Sequence, residues 1–354
     1  MSRIQGNIQD LLLKKVVGDQ SSSVIDNKLT LLKREQVEKP VIYLGAGTCG
    51  LGAGAAKTLK NIKSYLSTNS IDAEIVEVGC IGLCAAEPIV DIQLPKHNRV
   101  SFSNVTDEKV DNLLDSVFNL ELPKDIEAIY QFPTKENHVW EGVTNFSSHP
   151  YFAKQMRLVL KNCGTLNPVS IDEYIAAGGY DSFLSTINKY DSAQVCDMVE
   201  ESGLRGRGGG GFTTGMKWKF ALNTEADQKY LICNADEGDP GAYSDRYLLE
   251  QQPHSILFGM LISGYVTHAN YGILYIRAEY PEAVEIVQHA IDALGDAGLI
   301  GNNIADSGFD FKFKIIQAQG SYICGEETAL INSIEGQRPE VRVRPPFPAH
   351  KGLF

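Results

Sequence analysis

The segment 203–218, GLRGRGGGGFTTGMKW, places seven glycines, two arginines, a lysine and two aromatic residues in sixteen positions. Glycine has no Cβ, so backbone N–H groups can come close to a flat or anionic ligand. Arg205, Arg207 and Lys217 add positive charge, and Phe212, Trp218 and the nearby Phe220 can line a ring. A planar, phosphorylated cofactor fits this mixture better than a flexible linker, which rarely carries arginines and aromatics so densely. Two phosphate-loop patterns fail on the same residues. Gly210 and Gly215 have the spacing of G-x-x-x-x-G-K-[ST], but Met216 stands at the lysine position. Gly206, Gly208 and Gly211 satisfy G-x-G-x-x-G, but the preceding SAQVCDMVEES has a helical pattern where a strand is required.

Three further stretches share this character. YLICNADEGDPGAYSDR reads as a strand from Tyr230 to Cys233 followed by Asn234, Asp236, Glu237 and Asp239, and polar residues past a strand's carboxyl end are where α/β proteins bind ligands. In GSYICGEETALINSIEG, Tyr322 and Gly325 precede Glu326 and Glu327, which open a helix where carboxylates also favour the dipole without any ligand. RPEVRVRPPFPAHKG is extended and basic, with Arg344 and with Phe347 between prolines. Elsewhere Cys80 and Cys84 form C-x-x-x-C, and Cys49 lies in GAGTCGLGAG. The seven histidines are scattered, none at metal-ligand spacing, and no nucleophile–base motif occurs, which suits chemistry carried by a cofactor.

Around these residues the chain alternates strand and helix patterns. Val41 to Leu44 reads as a strand leading through glycines into a helix, and DAEIVEVGCIGLCAAEPIVDIQL as strand, cysteine loop, strand. YGILYIRAEY, PEAVEIVQHAIDALGDAG and FDFKFKII read as strand, helix, strand, implying a largely parallel sheet. The expected division is a polar helical segment over 1–37, a small α/β domain over 38–122, a linker over 123–150 and a second α/β domain over 151–354.

The 354-residue chain has a formal net charge of −12 and 43% hydrophobic residues. That balance argues against nucleic acid or an anionic membrane as partner. There is no eighteen-residue apolar run and no signal-peptide pattern at the N-terminus, and seven unevenly spread cysteines do not form a disulfide framework, so the expected location is cytoplasmic.

The four ordered motifs GLRGRGGGGFTTGMKW, CNADEGDPGAYSDR, GSYICGEETALINSIEG and RPPFPA, spanning 203–349, resemble the family of flavoprotein, NADH-binding subunits of respiratory complex I. The family also includes the beta subunits of NAD(P)-linked or electron-bifurcating hydrogenases and formate dehydrogenases. The resemblance implies an α/β domain holding FMN with NADH stacked on it, hydride passing between them, and single electrons going on to iron–sulfur subunits of a larger redox complex. This would be an NADH dehydrogenase or diaphorase-type NAD(P)H:acceptor oxidoreductase subunit; a flavin-fold relay or docking subunit that does not turn over NADH is the alternative. By position, Gly206, Arg207, Gly208, Lys217, Asn234, Asp236, Glu237, Tyr322, Gly325 and Glu326 would contact FMN. Phe212, Phe220, Asp239, Glu327, Arg344 and Phe347 would contact NADH. Thr213 replaces a usual proline, and Asp239 stands where glutamate is frequent. Family members continue into a ubiquitin-like domain and a helical 4Fe–4S domain on C-x-x-C-x-x-C. This chain has neither, so it is expected to be C-terminally incomplete, with 4Fe–4S only where that region exists.

The cysteine-bearing domain resembles the N-terminal thioredoxin-like 2Fe–2S ferredoxin domain of several such subunits, whose pattern is C-x-x-x-x-C followed by C-x-x-x-C. Cys49, Cys80 and Cys84 match three of its ligands, and the first would fall at Leu44, which cannot bind iron. The resemblance therefore leaves two readings: a degenerate domain kept for docking, or a labile 2Fe–2S site.

Overall fold

The computed structural model describes residues 23–319 and 321–354, which form two compact units over 22–177 and 178–354. Most of the segment expected as helical over 1–37 lies outside the described residues; its remainder contains helix α1 (Ser23–Leu32). Both units are α/β, as the strand and helix patterns imply.

The first unit is built on a five-stranded mixed sheet of order β2-β1-β3-β4-β5: β1 (Val41–Gly45), β2 (Glu74–Val78), β3 (Val90–Gln93), β4 (Arg99–Phe102) and β5 (Ala128–Phe132). β1 and β2 are parallel and the other pairs antiparallel. The interior strand β1 reads VIYLG and is buried along its whole length, whereas the edge strand β2 is only partly covered. Between β1 and β2 run α2 (Thr48–Ala53) and α3 (Ala55–Thr68), and α4 (Val110–Phe118) follows β4. α3 buries Ala55, Thr58, Ile62 and Leu66, and α4 buries Val110, Leu113, Leu114 and Val117, each a single stripe at helical spacing. These stripes close a core with Ile42, Leu44, Ile92, Val100, Phe102 and Trp140.

Residues 123–150, expected as a linker, instead complete this sheet. β5 pairs with β4, and Gln131, its fourth residue, is buried in a closed amide network. Its Nε2 donates to the carbonyl oxygens of Trp140 (3.0 Å) and Val143 (2.7 Å), and its Oε1 accepts from Asn98 Nδ2 and the Trp140 N–H, both at 3.0 Å. The unit also extends past the expected boundary at 151. Arg99 stacks its guanidinium 3.6 Å from the Tyr43 ring centroid, pairs with Asp91 at 2.6 Å, and donates to the carbonyl oxygens of Gly164 (2.8 Å) and Thr165 (3.2 Å). Helix α5 (Ile171–Ala176) is tied back through Glu173, which pairs with Arg34 at 2.8 Å. Long-range ionic ties of this kind leave no periodic trace in sequence.

The second unit begins with α6 (Asp181–Lys189), α7 (Ser192–Glu201) and α8 (Thr214–Asn223), followed by β6 (Tyr230–Ala235), α9 (Ser244–Gln251), α10 (Pro253–Thr267), β7 (Tyr271–Arg277), α11 (Pro281–Asp296), β8 (Lys312–Ala318) and α12 (Glu327–Ile334). The sheet is wholly parallel in the order β6-β7-β8. A capping box between Asp191 and Gln194 starts α7, and prolines at the first helical position start α10 and α11. The Phe-rich strand starts later than its alternation suggests: Gly301 brackets Phe311 with two backbone hydrogen bonds, and the regular strand begins at Lys312. Phe311 is fully buried between Gly264 and Gly272, at each of which a Cβ would meet its ring, at 2.2 and 2.8 Å.

Candidate functional site

The glycine segment forms a loop pinched at its base between α7 and α8. Arg205 and Thr213 form an antiparallel bridge, the Gly206 N–H donates to the Phe212 carbonyl (2.8 Å), and the Thr214 N–H donates to that of Leu204 (3.0 Å). Arg205 also donates to the Gly211 carbonyl at 3.2 Å. Within the loop Gly209 (φ 99°) and Gly211 (φ 60°) take left-handed backbone, which glycine adopts at no steric cost. Gly206, Arg207 and Gly208 are exposed, and a Cβ on Gly208 would meet nothing within 4 Å. The loop thus presents bare backbone to open space from a fixed base. At its far end Gly215 lets α8 lie directly on α7, since a Cβ there would come within 2.6 Å of the Glu200 nitrogen.

A second wall stands at the carboxyl end of β6. Asn234 donates from Nδ2 to the Gly325 carbonyl at 2.9 Å, tying the strand end to the turn before α12. Asp236 is buried, and its Oδ2 has no hydrogen-bond partner. That oxygen faces Gly238 and Gly325, where a Cβ would lie 2.9 and 3.5 Å from it. Burial pushes the Asp236 carboxyl above the usual carboxylate range, the Arg277 guanidinium opposes this and Glu279 adds to it. A buried carboxyl oxygen left open beside two glycines is a place for a ligand's donor group.

The other expected contacts are distributed unevenly. Tyr322, Phe212, Phe220 and Phe347 are all exposed, and the rings of Phe212 and Phe220 lie 6.2 Å apart. Lys217, on α8, reaches to 3.9 Å from Glu327. Arg344 holds both acids of the α12 entrance, Glu326 at 2.9 Å and Glu327 at 2.6 Å. Glu326 also caps α12, accepting from the N–H groups of Thr328 (2.9 Å) and Ala329 (3.0 Å); burial opposes its ionisation, but these bonds and Arg344 hold it below the usual range. Two acids are occupied by other groups of the chain. Glu237 accepts from the Asp245 N–H (2.8 Å), the Arg246 N–H (3.1 Å) and the Tyr280 hydroxyl (3.1 Å), fastening the start of α9. Asp239 accepts from the Gly241 N–H at 2.7 Å. Arg277, which the motifs do not single out, donates to the Glu237 carbonyl and sets the charge beside Asp236; its one signal in sequence is a basic residue ending a buried strand.

The cysteines of the first unit form a separate cluster. Cys49 lies in the first turn of α2, Cys80 follows β2, and Cys84 opens a short 3-10 turn. Their three sulfur atoms all lie within 4.8 Å of one another, with Cys80 and Cys84 3.7 Å apart. Burial pushes the Cys80 thiol up, with Glu87 and the neighbouring thiols adding and the Gly82 N–H opposing, and burial with the Cys84 thiol raises Cys49 to about 11. Three convergent sulfurs are a donor set suited to a soft or borderline metal centre. Leu44 is not a vacant ligand position: it is 1% exposed, part of the apolar core, on the face of β1 turned away from the next residue.

Among the described residues no helix is long and apolar enough to cross a membrane. Residues 199–354 match the family model of the Nuo51 FMN-binding domain. The chain is similar to the NADP-reducing hydrogenase subunit HndC of Solidesulfovibrio fructosivorans, 52% identical over 201 residues, covering 57% of this chain and 41% of that one. It is also similar to an NADH-quinone oxidoreductase subunit of Aquifex aeolicus (strain VF5), 44% identical over 204 residues, covering 58% and 47%. The chain thus spans under half the length of these relatives. A solved NAD+-reducing [NiFe]-hydrogenase in its H2-reduced state aligns over 98% of this chain and 55% of its own, at 23% identity and a TM-score of 0.47. Over residues 199–354 the chain therefore resembles the Nuo51 FMN-binding domain, and it is similar there to subunits of NADH-quinone oxidoreductase and of an NADP-reducing hydrogenase.

Proposed function

We propose that the chain is the FMN- and nucleotide-binding part of a cytoplasmic, diaphorase-type NAD(P)H:acceptor oxidoreductase subunit, passing electrons to iron–sulfur partners in a larger complex. The observation that carries this reading is the open, buried Oδ2 of Asp236 beside Gly238 and Gly325, in the same FMN-binding-type segment as the bare glycine loop. FMN, when bound, supplies a ring that accepts a hydride and gives up electrons singly.

The chain's own residues have defined tasks in this reading. The bare backbone at Gly206 and the N–H groups around Gly208 approach the cofactor without steric hindrance, the Gly206 N–H holding the loop base, and Arg207 and Lys217 supply charge to its anionic and carbonyl groups. Asp236 receives a donor from the ring system, and Asn234 holds the Gly325 turn in register for it. Phe212, Phe220 and Phe347 cover the nicotinamide nucleotide, excluding water. The Arg344 pairs with Glu326 and Glu327 are part-exposed, each worth at most about 1 kcal/mol, so a nucleotide can exchange them for its own contacts. Glu237 acts indirectly by fixing the loop that carries Asp236.

The test is flavin content followed by anaerobic titration. Fluorescence after denaturation should show close to one FMN per chain, and NADH should bleach the flavin absorbance. A chain that retains no flavin after reconstitution with FMN would overturn the proposal; one that retains it but is not bleached by NADH or NADPH would leave a flavoprotein without nucleotide oxidation.

A further inference from the structure

The residue after Leu44 leads to a carboxylate next to the cluster, in which the three cysteine sulfurs alone lie within 4.8 Å of one another. Gly45 ends β1, and alternation along the strand turns its missing side chain to the face opposite Leu44. A Cβ on Gly45 would lie 2.8 and 2.9 Å from the two carboxylate oxygens of Glu87, so that carboxylate fills the space of the absent side chain. The same oxygen that would crowd Gly45 most lies 3.4 Å from a Cβ built on Gly50, directly after Cys49. Glu87 is 6% exposed. Its Oε2 accepts from the Ile89 N–H at 2.7 Å, its Oε1 is buried with no hydrogen-bond partner, and the carboxylate interacts with the Cys80 thiol. Buried carboxylates are normally paired with a cation or bound to a metal, and here three sulfurs already converge.

The geometry points to Glu87 as the fourth ligand, through oxygen, of a metal centre held by Cys49, Cys80 and Cys84. A metal about 2.3 Å from each of two tetrahedral sulfurs separates them by about 3.8 Å, and Cys80 and Cys84 already stand 3.7 Å apart. Three thiolates and one carboxylate carry the same total charge as four thiolates. The set therefore serves either a two-iron, two-sulfide cluster or a single zinc-like ion, and binding releases the thiol protons. Every residue of this centre belongs to the unit over 22–177, so it does not depend on the flavin site.

The experiment uses the whole chain, purified anaerobically and challenged in two arms: zinc alone, and ferrous iron with sulfide. Metal and acid-labile sulfide are counted after gel filtration with a chelator, and the iron arm is read by visible absorption and by electron paramagnetic resonance after reduction. One metal centre per chain is expected in one arm, which identifies its kind. Glu87→Gln keeps the side chain's size and its acceptor for Ile89; it should lower retained metal at least tenfold with unchanged circular dichroism and flavin content. Glu87→Cys should restore retention and, in the iron arm, shift the spectrum towards all-sulfur ligation. The assignment is overturned if Glu87→Gln holds as much metal with the same spectrum, or if Glu87→Cys holds none, or if the unmodified chain binds neither metal.

Discussion

At the scale of single residues, the glycine loop separates a position that shapes the fold from one that shapes only the site. Gly208 has neither a left-handed φ nor any atom within 4 Å of a built Cβ. Gly208→Val should therefore fold normally, with unchanged thermal unfolding, while retained FMN falls at least tenfold, a loss of about 1.4 kcal/mol or more in binding. Full flavin content in that variant would remove Gly208 from the site. Phe347 is half exposed, free to cover a ligand. Phe347→Ala should raise KM for NADH with little change in kcat, by about 1–2 kcal/mol of stacking energy, read by steady-state kinetics at saturating acceptor. An unaltered KM would mean that the ring only packs between its prolines. These residues are picked out in the sequence because they sit inside contiguous motifs. Glu237 falls to the cofactor on the same grounds, yet its carboxylate fastens the start of α9, because a loop residue's neighbours across the turn cannot be read from its own motif.

At the scale of elements, the α7–α8 contact and the buried end of α10 carry the supporting framework. Gly215 sits where α8 touches the α7 backbone, so even a methyl group must push the helices apart. Gly215→Ala should destabilise the second unit by about 1–3 kcal/mol and weaken FMN through the tilted loop; a neutral unfolding midpoint would show that α8 can slide without cost. His254, in the first turn of α10, is 2% exposed beside the Tyr180 hydroxyl at 3.0 Å, and burial lowers its pKa to about 4 from the usual 6.5. The unfolded chain binds that proton more readily, so the stabilising contribution is complete above about pH 6.5 and lost as pH falls towards 4. The span corresponds to about 3 kcal/mol. Unfolding of the wild-type chain between pH 6.5 and 4.5 should be steeper than that of His254→Gln; equal slopes would indicate that the imidazole is already protonated in the folded state.

At the scale of the whole molecule, domain limits depend on contacts distant in sequence. Residues 38–122 lack β5, Gln131 and the carbonyls of Gly164 and Thr165 that Arg99 holds. Expressed alone, 38–122 should be unfolded or rapidly proteolysed, whereas 22–177 should give a dispersed amide NMR spectrum; a stable, dispersed 38–122 would mean that β5 is dispensable. The sequence by itself determined the α/β alternation, the flavin-type motifs in 203–349 and the three cysteines that converge, because periodicity and contiguous motifs are local properties. It could not decide which of two adjacent residues turns into the core. Counting back five positions from Cys49 selects Leu44, but the pleat of β1 sends Leu44 into the core and Gly45 to the other face. Only the tertiary structure brings Glu87 into the space that Gly45 leaves open and the three thiols together, because the loop after β2 must fold back over the end of β1 before either contact can form.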